Sequence, residues 1–192
     1  MSTVLYEDMG FDVYLYSENE QHTGFCYDVI RRATWVEPAD AGRGRAYEEI
    51  VDSLQYRGIR NIVALGFSYG GGAVHNLLDR LERRFRGELE PFGENPLGVD
   101  NRFRDSFVVY VDAIVHGSPA ESLRRPPPSY SLLLNIYQTQ DIFIRGAEIP
   151  GPRIHNLDAN DPHLQWDQNI RHSQIDDNPA VHRRIFDELI RP

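Results

Sequence analysis

Residues 62–81 read IVALGFSYGGGAVHNLLDRL. Ile62–Leu65 is short and wholly apolar, the composition of a strand inside a parallel sheet covered on both faces. GFSYG follows at 66–70, and from Gly71 the pattern turns amphipathic at helical spacing, reaching about Arg86. The stretch therefore predicts strand, sharp turn and helix. Ligands of parallel sheets bind beyond the carboxyl ends of the strands. Ser68 stands at such an end.

Working outward, residues 46–57 (AYEEIVDSLQYR) place Tyr47, Ile50 and Leu54 on one helical face, with Gly58 as the stop. FDVYLY at 11–16 alternates and reads as a strand, and 25–33 as a short helix. FVVYV at 107–111 is a second central strand ending at Asp112; 132–137 is a third and 153–156 a short fourth. Asn178-Pro179 reads as a helix cap followed by proline at the first helical position. The helix 179–190 presents Val181, Ile185 and Leu189 on one face. Strands alternating with helices predict an α/β domain with a mostly parallel sheet. A length of 192 residues suits one domain, 1–192, with no separate lid domain.

The net charge of −9 disfavours anionic membrane surfaces. The basic residues are all arginine, scattered among acids with no basic stripe, so nucleic acid is not an expected partner. No apolar run approaches the roughly 20 residues that cross a bilayer, and none is expected to be a transmembrane segment. The start lacks the pattern of a secretion signal. Cys26 is the sole cysteine, which excludes an internal disulfide and fits a reducing compartment. The expected location is cytoplasmic.

A G-x-S-x-G match is weak alone, but here an apolar strand precedes it and a helix follows. In a nucleophile elbow the serine occupies a strained turn that lifts its hydroxyl above the sheet. Gly66 and Gly70 are expected to let strand and helix backbones pass closely. The helix amino end directs N–H groups at developing negative charge, and the Tyr69 backbone N–H would be one oxyanion-hole donor. Dinucleotide binding wants G-x-G-x-x-G and a phosphate loop wants Lys-Ser/Thr; both are missing, so a nucleotide-binding domain is disfavoured.

A serine needs a base, and the base an orienting acid. In elbow enzymes the chain order is Ser, acid, His. His22 comes too early, His75 is two helical turns past Ser68, and His182 lies within the last helix. His116, His155 and His163 are read as loop residues. His172, in RHSQIDDNPAVHRRIF and read in a loop just before the final helix, is the preferred base, with His163 next. For the acid, Asp112 at the tip of FVVYV and Asp141 in NIYQTQDIF both remain open, since either could simply form a turn or cap.

With these residues in view the chain resembles the α/β-hydrolase superfamily, and within it small bacterial lipase-like and thioesterase-like members. The matching stretches are GFDVYLYSEN, GFSYGGGAVHNLLDRL, YVDAI, NIYQ, the segment at Asn156 and HSQIDDNPAV, in the right order over most of the chain. The resemblance implies a three-layer fold, reduced to about five strands with helices on both faces, and a Ser68–His172–Asp112 triad, favouring Asp112 over Asp141. Two departures accompany it. The early antiparallel strands of the full fold are expected to be absent, and no His-Gly oxyanion signature follows the first strand. The second oxyanion donor is thus unassigned, with the loop 17–21 as its expected source.

The expected function is a serine esterase or thioesterase, acting on a small-molecule acyl ester or thioester through an acyl-enzyme. No cofactor or metal is expected. The alternative is a non-catalytic α/β-hydrolase-fold binding or interaction protein, in which the elbow is architecture only.

Overall fold

The computed structural model describes residues 45–88, 97, 102–115, 121–142, 144–164, 166 and 169–190. The strand read at 11–16, the helix at 25–33, the loop at 17–21, His22, Cys26, His116 and most of 87–104 lie outside the described residues.

Helix α1 (Arg45–Tyr56) buries Tyr47, Val51 and Leu54, spaced four and three residues apart along one face. Strand β1 (Asn61–Phe67) follows, then α2 (Tyr69–Phe85), β2 (Asp105–Val111), β3 (Leu132–Tyr137) and β4 (Ile154–Asp158). A one-turn helix α3 (His172–Ile175) and the helix α4 (Pro179–Leu189) close the described chain. The cap of α4 forms from local chemistry alone: Asn178 Oδ1 accepts the Ala180 N–H at 2.8 Å, with Pro179 at the first helical position.

Among the described residues the strands form one four-stranded sheet in the order β1-β2-β3-β4, and all three pairings are parallel. Successive strand residues point to opposite faces, and β2 shows the consequence. Val108 and Tyr110 enter an apolar cluster with Val51 and Leu54 of α1 and Leu77, Leu78 and Leu81 of α2. Val109 and Val111 enter a second cluster with Ile175 of α3 and Val181 and Ile185 of α4. The chain is therefore an α/β protein with helices packed on a parallel sheet.

Among the described residues β1 is the end strand of the sheet, and Leu65 is 41% exposed; the strand expected at 11–16 lies outside them. One expectation needs adjustment. The link from β3 to β4 contains no helix among its described residues, although the strands it joins are parallel. This connection packs through an apolar anchor, Ile149, and through side-chain amides that satisfy its backbone. Asn135 Nδ2 donates to the Ala147 carbonyl and to Asn156 Oδ1. Asn156 exchanges two hydrogen bonds with the backbone of Ile149. A loop against a sheet must have its N–H and C=O groups paired, and these asparagines do that work.

The register sets the site. Phe67 pairs with Val111, and Val111 with Ile136. The residues that follow, Ser68, Asp112 and Tyr137, thus share one edge of the sheet, with Gln138 one step beyond.

Candidate active site

Ser68 joins β1 to α2 with φ 54° and ψ −122°, a conformation that L-residues rarely adopt. Such a residue costs on the order of 1–3 kcal/mol and persists only when its surroundings enforce it. Here they do. The Ser68 N–H donates to the Val111 carbonyl at 3.0 Å, and the Ser68 carbonyl accepts the N–H groups of Gly71 and Ile114. A Cβ on Gly66 would lie 2.3 Å from the Gly70 carbonyl oxygen, so the close approach of strand to helix needs glycine at 66. The same contact leaves room at the partner. A Cβ on Gly70 would meet nothing within 4 Å, so the expectation that both glycines are needed sterically holds for one of them.

Asp112 follows β2 in a second positive-φ turn, φ 46°. It is 0% exposed, and its N–H donates to the Ile136 carbonyl at 2.7 Å. His172 opens α3 rather than lying in a loop; Arg171 before it is extended, and the Arg171 N–H donates to Gln174 Oε1. The His172 ring stacks on Phe67, centroids 5.0 Å apart.

These three side chains meet. His172 Nδ1 lies 2.7 Å from Asp112 Oδ2, and His172 Nε2 lies 2.9 Å from Ser68 Oγ. An ionised carboxylate only accepts, so Nδ1 carries the ring hydrogen. In the neutral imidazole that leaves Nε2 as the acceptor of the Ser68 hydroxyl. The arrangement can take a proton from serine while the aspartate holds the ring's tautomer and orientation.

The competing residues sit elsewhere. Asp141 lies in the turn after β3, where its backbone N–H donates to Gln138 Oε1 and its carbonyl accepts from Arg145. His163 is exposed in a 3₁₀ turn (Pro162–Leu164). His155 lies in β4, not a loop, with Nδ1 3.4 Å from Glu188 Oε1. His182 Nε2 bonds the Asp176 carbonyl. His75 is buried in α2 within 3.5 Å of the Tyr110 hydroxyl. Burial, and then the charge of Arg125, push its pKa down to about 4, against an opposing effect of Asp79.

Tyr69 is the first residue of α2, so its backbone N–H belongs to the amino end of that helix. The loop at 17–21, read as the source of a second donor, lies outside the described residues. Among the described residues no group of three His, Cys, Asp or Glu side chains could hold a metal ion, and no helix is long and apolar enough to cross a membrane.

Sequence reasoning missed the parts that three residues play around the base and the acid. Phe67 packs on the imidazole, Gln138 bonds both oxygens of Asp112, and Gly146 lies against the same carboxylate. The only signal for Gln138 was its place in NIYQ, to which no role was attached. No protein family, curated protein or solved structure matches the chain.

Proposed function

We propose that the protein is a serine hydrolase that cleaves a carboxylic ester or thioester of a small molecule through an acyl-enzyme. The observation that carries this reading is the continuous hydrogen-bonded chain from Ser68 Oγ through His172 to buried Asp112, with the serine in a strained strand-to-helix turn. Ser68 attacks the carbonyl carbon as His172 Nε2 takes its proton. The oxyanion is held by the Tyr69 N–H and a second donor. His172 then protonates the leaving alcohol or thiol, and water repeats the sequence on the acyl-enzyme. Asp112 orients the ring and stabilises its charge.

The finer fold belongs to the same reading: a three-layer α/β-hydrolase arrangement of about five strands. The division of β2 side chains between two helix-bearing clusters supports it.

The test is intact-mass analysis after treatment with a fluorophosphonate. One adduct is expected on the wild type and none on Ser68→Ala or His172→Ala. A wild type that stays unmodified while a control hydrolase reacts fully would make the protein a binding module with a hydrolase-like turn.

A further inference from the structure

Gln138, just past β3, is 0% exposed, and every polar atom of its side chain is engaged. Nε2 donates to Asp112 Oδ2 at 2.8 Å and to the Ile144 carbonyl at 2.6 Å. Oε1 accepts the backbone N–H groups of Gln140 and Asp141, both at 2.9 Å. A side-chain amide has two donor hydrogens and an oxygen with two lone pairs, and here all four are used. The orientation of the amide follows from its partners: only the NH₂ can face a carboxylate and a carbonyl, and only the oxygen can face two N–H groups. The backbone N–H of the same residue reaches Asp112 Oδ1 at 3.3 Å.

We propose that Gln138 is a positioning residue of the site, setting the Asp112 carboxylate so that Oδ2 faces His172. The inference rests on the hydrolase reading for its kinetic part only. One residue grips both oxygens of the acid, and this leaves the carboxylate no freedom to turn about its last bond. The loop that Gln138 folds then closes over the other side. The Gly146 N–H donates to the Gln138 carbonyl at 2.8 Å, and a Cβ on Gly146 would lie 2.3 Å from Asp112 Oδ1. Asp112 is thus enclosed by a ring of chain that begins and ends on Gln138. A buried carboxylate needs its lone pairs paired. His172 supplies one N–H and Gln138 the other two. Catalytic groups displaced by about 1 Å lose on the order of 10² in rate, so the grip has a kinetic consequence even though Gln138 touches no substrate.

The rival account is that Gln138 only ties the 138–146 loop. Gln138→Glu separates the two: it keeps an oxygen for the Gln140 and Asp141 N–H groups and removes the donor to Asp112. Gln138→Leu removes both. The first readout needs no activity. It is the far-downfield imidazole N–H proton in the NMR spectrum, assigned by its loss in His172→Ala. It is expected in the wild type and shifted or lost in both Gln138 variants. The second readout is phosphonylation of Ser68, resolved into an affinity and a first-order constant. The first-order constant is expected to fall about 10–10²-fold with affinity unchanged. In Gln138→Glu, the loss relative to the wild type at the same pH should shrink as the pH falls, because the protonated carboxyl group again offers a hydrogen to Asp112.

An unchanged proton and labelling rate in folded variants would overturn the proposal. So would loss of the fold in both, which would leave Gln138 a purely structural residue. A wild type that shows the downfield proton but takes no label would sink the hydrolase reading and leave the positioning intact.

Discussion

The carboxyl ends of β1 and β2 hold the same kind of strain by different means. Ser68 and Asp112 are both non-glycine residues at positive φ, 54° and 46°, on neighbouring strands. The Ser68 turn draws on local sequence: glycine at 66 lets the strand pass the Gly70 carbonyl, and the Gly71 N–H closes onto the Ser68 carbonyl. The Asp112 turn is built from distance: Ile136 of the next strand and Gln138 just past its end grip it, and Gly146 packs against it. Backbone bonds tie the two turns together, Ser68 N–H to Val111 and Ile114 N–H to Ser68. The glycine that lets a nucleophile turn close can be read among a few consecutive residues, whereas the partners of a buried acid come from elsewhere in the chain.

The comparison can be broken most sharply at the acid. Asp112→Asn should lower kcat/KM by about 10⁴, the scale seen when a triad acid is replaced by its amide, whereas Asp141→Asn should stay within a few-fold. Steady-state hydrolysis of a short-chain ester measures both, and comparable losses would mean that His172 takes its acid from the 138–146 loop.

A smaller effect is expected at the serine turn. Gly66→Ala should destabilise the fold by about 3 kcal/mol, the upper part of the range for overpacking, because the new methyl meets backbone. Gly70→Ala should be neutral or stabilise by about 0.5 kcal/mol, since alanine suits a helix better and the space is open. Urea unfolding of the pair reads the difference; equal costs would show that the turn does not depend on the Gly66 contact.

The last prediction sets the site's histidine against the one on the helix behind it. His75 lies among Tyr110, Arg125 and Asp79, with its pKa lowered from 6.5 to about 4. Between those values the unfolded chain binds the proton and the folded one does not, so stability falls as pH drops through this window. The contribution is at most about 3 kcal/mol, complete above pH 6.5 and lost by about pH 4. Unfolding from pH 7.5 to 4 should show a steeper decline for the wild type than for His75→Gln. Parallel curves would remove His75 as the cause.

The local elements were legible. The amphipathic spacing of Tyr47 and Leu54, the apolar runs of β1, β2 and β3, and the Asn178-Pro179 cap all yield elements within a residue or two of the expected bounds, apart from a longer β1. Gly66 and Gly70 looked equivalent in the motif, yet only the packed structure distinguishes them. The short strand expected at 153–156 is β4, so of the two conflicting readings of His155, strand and loop, the strand holds.

Sequence by itself determined the α/β character and the strand–turn–helix at Ser68, because each rests on periodicity or on residues adjacent in the chain. Tertiary structure alone decided that Asp112, not Asp141, faces His172, and that Gln138 encloses that acid. The contacts concerned join residues 26 and 60 positions apart. The first arises from the register that sets Val111 beside Ile136 and the second from the packing of α3 against the strand ends, and neither leaves a periodic trace in the residues it unites.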